Sequence, residues 1–346
     1  MKNRNGKVAA GALVLAAILA GALILSCGGG GQTAAASDTY AIVFKSVGNP
    51  YGDRECGGYQ EGIEEQGFKC IIQAPAQPNV EGQIQIIEQL IAQKVAAICI
   101  VGNDNDALQP VLTKASQAGI KIFSLDSGVN PQSRAVHVNQ ADSQAIGKTL
   151  VEAAYDMCGG SGEFAILSAT SQATNQNTWI AFMQETLKDP KYADLTLLPI
   201  AYGDDLRDKS TSETEALLLS YPNLKCIVAP TTVGIAAVSK VVTDKGLVGK
   251  VKVTGLGLPS EMAEYITNGS CPYMFLWNPI DVGYLGAYVA TALVQGKITG
   301  AEGDTFSAGR LGEYTIVKAP DGGTEVLLGP PFKFDAANIN DWKDVY

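Results

Sequence analysis

Between residues 40 and 277, short and nearly continuous apolar runs alternate with longer stretches whose apolar residues recur at helical spacing, and this alternation leaves few folds open. The runs are 40–45, 70–73, 96–101 and 121–125, then 164–167, 195–200, 225–229, 251–255 and 273–277. Strands apolar on both faces belong in parallel sheets covered by helices. The intervening stretches are 55–66, 82–93, 107–118, 143–157, 176–187, 209–219, 234–243 and 282–295; in 83–91 the large apolar residues share one helical face. Strand and helix units of about 30 residues imply right-handed βαβ crossovers, hence an α/β fold of doubly wound parallel sheets. Four units precede about residue 138 and about four follow residue 163, so two sheets are expected instead of one long one. The chain's 346 residues agree, since a single core usually stops growing at about 250–300.

Ahead of this region Lys2, Arg4 and Lys7 form a basic start, and residues 8–25 are an unbroken run of Ala, Leu, Ile, Val and Gly. Such a start is a secretory signal, with an uncleaved transmembrane anchor as the competing reading. Cys27 directly follows the small residue Ser26, which resembles the lipobox at which bacterial lipoproteins are cut and lipidated. Residues 1–26 are therefore expected to be a lipoprotein signal peptide, Cys27 the lipidation site, and 27–38 a flexible leash of small and polar residues. The domain would sit in the cell envelope, facing the periplasm or the outside of the cytoplasmic membrane and touching the membrane only through its lipid.

Charge and composition remove several classes of function. The chain has 25 Lys and Arg against 35 Asp and Glu, and three of the cations lie in the leader, which leaves a net charge of −13 for the remainder. So acidic a surface argues against nucleic acid and anionic lipid as partners. His137 is the single histidine, which removes His-based triads and multi-His metal sites. Six cysteines follow Cys27, at positions 56, 70, 99, 158, 226 and 271, with no Cys-x-x-Cys pair. Cys99 and Cys226 lie in strand-like runs as small hydrophobes. An even count in an oxidising compartment leaves room for a disulfide, with Cys56–Cys70 the candidate pair. Neither glycine cluster, 28–31 or 159–162, lies between a strand and a helix as a phosphate cradle would require, so no nucleotide, metal or other cofactor is expected.

Ligands of open α/β sheets bind beyond the carboxyl ends of the strands, so the residues after each run are the informative ones. Lys45 is followed by Asn49 and Tyr51, and the fourth run ends in Asp126-Ser127-Gly128. Ser168 opens a polar strip containing Asn175-Gln176-Asn177 and Trp179. Pro230 and Thr232 follow the seventh run, and Trp277 leads into Asn278-Pro279. A Lys and an Asp beside amides and aromatic faces suit a neutral polyol, whose hydroxyls need oriented polar groups and whose C–H faces need apolar ones. Taken singly each is equally a loop device: Asp126 an Asx turn, Asn175 a helix cap, Lys45 a solvated strand end. Their recurrence at the same end of successive strands favours a site.

These residues resemble those of the sugar-binding proteins of ABC importers with the type I, ribose-binding-like fold. The branch they resemble most contains rhamnose-binding proteins and autoinducer-2 receptors. The likeness runs from about residue 40 to 346. It rests on Phe44-Lys45 with Gly48-Asn49-Pro50, Ser124-Leu125-Asp126-Ser127, Val138-Asn139-Gln140, Asn175-Gln176-Asn177 before Trp179, Ala229-Pro230, and Leu276-Trp277-Asn278-Pro279 with Gly283-Tyr284-Leu285. The resemblance implies ligand roles for Lys45, Asp126, Gln176 and Pro230. Asn175 and Thr232 stand where autoinducer-2 receptors have Asp and Ala, and the Leu-Trp-Asn-Pro segment leans toward the rhamnose side.

The resemblance further implies two lobes joined by three crossings, near Asn139, Pro279 and Arg310. One lobe would hold 39–139 and 280–310, the other 140–279 and 311–346. The implied partners are a small sugar, an ABC permease and its ATPase, the implied mechanism is hinge closure of a monomer, and autoinducer-2 is the alternative ligand. An enzyme of the same fold class would need a nucleophile with a base, a metal cluster or a cofactor loop, and the sequence assembles none.

Overall fold

The computed structural model describes residues 37–346. The expected signal peptide, Cys27 and most of the leash lie outside the described residues. No described helix is long and apolar enough to cross a membrane.

The chain runs β1 (Thr39–Val43), α1 (Pro50–Glu65), β2 (Lys69–Gln73), α2 (Val80–Gln93), β3 (Ala97–Ile100), α3 (Gln109–Gln117), β4 (Lys121–Leu125) and β5 (His137–Asn139). It continues with α4 (Ser143–Met157), β6 (Gly162–Ser168), α5 (Thr174–Thr186), β7 (Leu195–Leu197), β8 (Ala201–Tyr202), α6 (Arg207–Ser220), β9 (Leu224–Ala229), α7 (Thr232–Asp244), β10 (Lys252–Gly255), α8 (Pro259–Asn268) and β11 (Tyr273–Leu276). The last part holds α9 (Pro279–Val294), β12 (Thr305–Ser307), β13 (Glu313–Thr315), β14 (Val317–Lys318), β15 (Thr324–Leu327), β16 (Phe332–Asp335) and α10 (Ile339–Trp342).

Two main sheets form, as the alternating runs predict. The first has the order β14-β15-β5-β4-β3-β1-β2 and is parallel except for the β14–β15 pair. The second has the order β10-β9-β6-β7, with β8 also parallel to β6. Strand β1 shows why the runs are apolar throughout. Tyr40 and Ile42 enter the core that also holds Tyr59 and Ile63 of α1, while Ala41 and Val43 enter a second core with Ile87 and Leu90 of α2. Side chains alternate between faces, and here both faces are buried.

Helices α1 and α9 lie backbone to backbone over the first sheet. A Cβ at Gly58 would fall 2.0 Å from the Ile280 carbonyl oxygen, and one at Gly283 would fall 1.8 Å from that of Glu55. Glycine is required at both positions. Gly283 belongs to the Gly-Tyr-Leu segment noted above, so part of that resemblance records a packing constraint.

The C-terminal course differs from the expectation that 311–346 belongs wholly to the second lobe. β15 runs parallel to β5, with Glu325 opposite His137, and Leu328 N–H donates to the Asn139 carbonyl at 2.9 Å. The pairing covers what would otherwise be an open edge of the first sheet. Residues 317–327 thus join the first sheet, and the chain leaves it between β15 and β16, not near Arg310; β16 then pairs antiparallel with β11.

All six described cysteines are free thiols, so the expected Cys56–Cys70 disulfide is absent. Both residues pack into the main core, and burial pushes the Cys56 thiol up and that of Cys70 to about 12, which starves oxidation of the thiolate it needs. Alkylation of the denatured, unreduced domain comprising residues 38–346 is expected to label all six. A mass two labels short would establish a bridge.

Candidate functional site

Lys45 follows β1 and is buried, not a solvated strand end. Its backbone is fixed by two side chains of the first lobe. Asn103 donates to the Lys45 carbonyl at 2.8 Å, and Gln83, fully buried on α2, donates to the carbonyls of Phe44 (3.1 Å) and Val101 (2.7 Å) while accepting from Asn103 N–H at 2.9 Å. Sequence reasoning missed this clamp, because Gln83 lies within an ordinary helical pattern.

Asn49 is the N-cap of α1. Its Oδ1 accepts from the N–H groups of Tyr51 (3.0 Å) and Gly52 (3.3 Å), so that oxygen is spent on the cap and the amide nitrogen is left to the pocket. The cap directs Tyr51 inward. The Tyr51 hydroxyl accepts from Trp277 Nε1 at 2.7 Å and donates to Asp126 Oδ1 at 3.4 Å, which links β11 of one lobe to β4 of the other.

Asp126 is buried and has φ 54°, the left-handed region that Asp and Asn tolerate best among side chains other than glycine. Its carboxyl meets side chains: Tyr51 on one oxygen and Asn175 Nδ2 on the other at 3.1 Å. This is not the Asx-turn geometry, in which the carboxyl would hold its own backbone. Burial raises its pKa to about 6, against the opposing pull of Lys45 and the Tyr51 and Asn175 hydrogen bonds.

From the second lobe, α5 carries Asn175 and Gln176. Its N-cap is Ala173, so Asn175 is free of capping duty. Asn175 Oδ1 accepts from Gln176 N–H at 2.8 Å and lies 3.4 Å from Lys45 Nζ. Gln176 commits its oxygen to Ser168 Oγ (2.7 Å) and Ala169 N–H (2.8 Å) and keeps its amide nitrogen. Pro230 follows β9, Thr231 caps α7 through Gly234 N–H at 3.1 Å, and Thr232 opens that helix. Trp179 meets Trp277 edge-on, with ring centroids 5.8 Å apart.

Lys45, Asn49, Tyr51, Asp126, Asn175, Gln176, Pro230, Thr232 and Trp277 all line one cavity between the lobes. Its free space is about 40 Å³, room for only a few waters, because Lys45, Asn175 and Asp126 reach across it to one another. The sequence reading omitted Asp205, which lines the same cavity at φ 54° and accepts from Thr231 Oγ1. It follows β8, a two-residue strand just beyond what reads as a single run ending at residue 200; the polar Gly203-Asp204-Asp205 directly after Tyr202 was the available signal. A second cavity of about 430 Å³ adjoins the first through shared Asp126, Asn175 and Trp179 and is walled by Asp104, Asp321 and Glu325 among others. His137 also faces it. Burial and nearby Arg134 push that imidazole down to about 3, so it is neutral, and its Nδ1 pairs with Ser124 Oγ at 2.9 Å.

The comparisons with known proteins agree with this architecture. Residues 40–298 match the model of the periplasmic binding protein domain family. An ABC transporter solute-binding protein from Clostridium phytofermentas, solved with bound L-rhamnose, is 52% identical, with a TM-score of 0.88 over 90% of this chain and 99% of that one. LsrB from Clostridium saccharobutylicum, solved with AI-2, is 23% identical, with a TM-score of 0.83 over 88% and 99% of the two chains, and shows the fold alone. Among curated relatives, the D-ribose/D-allose-binding protein of Pseudomonas aeruginosa is 27% identical over 51% of this chain, and the match spans 56% of that protein's length. With two doubly wound lobes, a polar cavity between them and a family match over most of the described residues, the chain belongs to the type I periplasmic sugar-binding proteins.

Proposed function

We propose that this chain is the exported, lipid-anchored solute-binding component of an ABC importer and that its ligand is a neutral deoxyhexose of the L-rhamnose type. The observation that carries this reading is the convergence of polar groups from both lobes with aromatic and aliphatic walls on one cavity. Lys45, Asp126, Asn49 and Gln176 supply donors and acceptors for ring hydroxyls. Phe44, Trp179, Leu256, Leu276 and Trp277 supply faces for C–H groups and for the methyl of a 6-deoxy sugar. One ammonium faces the carboxyls of Asp126 and Asp205, a balance that disfavours uronates and sugar phosphates. The rhamnose-bound relative points to the same ligand class.

The binding step is an exchange of partners. Asn175 bridges Lys45 and Asp126 across the cavity, accepting from the one and donating to the other, while Thr174 Oγ1 meets Ser127 Oγ at 3.0 Å and the Gly128 carbonyl at 2.9 Å. A sugar would replace the first set and leave the second to hold the lobes together, so that ligand selects the closed form by adding contacts only that form offers. Cys27 would carry the lipid, and a permease would read the closed lobes.

A thermal-shift panel of L-rhamnose, L-fucose, D-ribose, D-xylose, D-glucuronate and autoinducer-2 tests the ligand class, because a ligand that binds only the folded state raises the Tm. L-rhamnose is expected to give the largest rise and glucuronate none. A rise with autoinducer-2 alone would replace this reading with a signal receptor.

Asn175→Asp is expected to weaken L-rhamnose about tenfold at neutral pH and to move preference toward autoinducer-2. It removes the donor to Asp126 and sets a like charge beside it. Unchanged affinity and preference would remove Asn175 as a selectivity residue.

A further inference from the structure

Glu55 lies one turn after Tyr51 on α1, fully buried, and neither of its carboxyl oxygens has a hydrogen-bond partner among the described residues. A buried, unpartnered carboxylate is so unfavourable that such a group takes up a proton instead. Its surroundings show where that proton matters. Lys45 faces it from the end of β1, Asp126 from the end of β4, Cys99 from β3, and Tyr51 and Cys56 from its own helix. From α9 the close approach is the backbone at Gly283. Asp205, in the loop after β8, also faces Asp126. Among the described residues Lys45 is the single cation acting on the two buried carboxyls Glu55 and Asp126, and it cannot neutralise both.

We propose that Glu55 and Asp126 together hold one proton at neutral pH, that it resides on Glu55, and that Glu55 is thereby a positioning residue which leaves Asp126 as the charged acceptor for the ligand. The proposal rests on the reading of the cavity as a sugar site. The two environments differ in the required direction. Asp126 has hydrogen bonds from Tyr51 and Asn175 to support its charge, whereas Glu55, with the single Tyr51 hydroxyl proton given to Asp126, has none and is pushed by burial and by Asp126 well above the usual carboxylate range. Two carboxyls in one low-dielectric site titrate as a pair, the less supported one keeping the proton.

Sugar binding then has two pH limbs. As pH falls through about 6, Asp126 takes up a proton and loses its role as a charge-assisted acceptor, so affinity drops about tenfold per pH unit. As pH rises, Glu55 ionises beside Asp126, a second buried charge enters the site, and affinity drops again.

Calorimetric titration of L-rhamnose into the domain from about pH 5 to about pH 10 is expected to give this bell for the wild type. Glu55→Gln is expected to keep the acid limb and to flatten the alkaline one. An alkaline limb that persists unchanged in Glu55→Gln overturns the proposal. So does loss of the acid limb together with more than about tenfold weaker binding at neutral pH, which would make Glu55 the ligand's own charged partner. If Glu55→Gln does not fold, or if L-rhamnose produces no heat with the wild type at any pH, infrared titration of the ligand-free wild type decides the matter separately from the sugar reading. A protonated carboxylic acid stretch present at pH 7 and lost at higher pH supports the shared proton, and its absence at pH 7 overturns it.

Discussion

Asp126→Asn is expected to lower L-rhamnose affinity at least about a hundredfold while leaving the ligand-free domain as stable as the wild type or more so. A carboxylate that accepts from ring hydroxyls contributes roughly 3 kcal/mol through charge-assisted bonds, and an amide cannot accept in the same way on both atoms. The backbone is spared, because Asn also tolerates the left-handed conformation and the Asp126 N–H keeps its bond to the Val138 carbonyl at 3.0 Å. The stability half follows from linkage. The folded-state pKa of about 6 lies above that of an unfolded aspartate, so the folded chain binds the proton more tightly and its stability falls as pH rises through about 6. A neutral amide escapes that cost at pH 7. Calorimetry with a parallel thermal melt checks both halves, and near-normal affinity would remove Asp126 from the site.

Gly283→Ala is expected to destabilise the domain by about 3 kcal/mol or more, lowering the Tm by about 5 °C or more. The new methyl would fall 1.8 Å from the Glu55 carbonyl oxygen, which is backbone and cannot rotate aside. Relief requires α1 and α9 to separate, and α1 carries Asn49, Tyr51 and Glu55 into or beside the site. Gly57 supplies the control, since it also lies on α1 but a Cβ there meets nothing within 4 Å. Gly57→Ala is expected to leave the Tm unchanged or slightly raised, because alanine favours helix over glycine. A Gly283→Ala melt within about 2 °C of wild type would show that the two helices part without significant cost.

The central units of the fold were legible because buried parallel strands need apolar residues on both faces and the helices that cover them need an apolar face; 121–125 and 143–157 have bounds that match β4 and α4. The margins were not. β14 and β15 are short edge segments with polar neighbours, and their place in the first sheet follows from covering β5, a tertiary fact that a local pattern does not record. Helix α8, Pro259–Asn268, has no counterpart among the helical stretches read from the sequence. At the site, the rule that ligands meet strand ends located nine lining residues, while Asp205 escaped with its two-residue strand. Local pattern also could not separate cap from ligand group. The structure divides them atom by atom: Asn49 caps with its oxygen, Asn175 does not cap, and Gln176 spends its oxygen on the β6 end. Glu55 reads from sequence as an ordinary helix carboxylate, and only burial marks it as unusual.

The most direct test is calorimetric titration of L-rhamnose into the domain comprising residues 38–346 at about pH 7.5, beside Asp126→Asn under the same conditions. One saturable site per chain in the wild type, lost in the variant, is the predicted result. A wild-type chain that gives no heat with L-rhamnose, or a variant that binds it as well as the wild type, would contradict a deoxyhexose site built around Asp126.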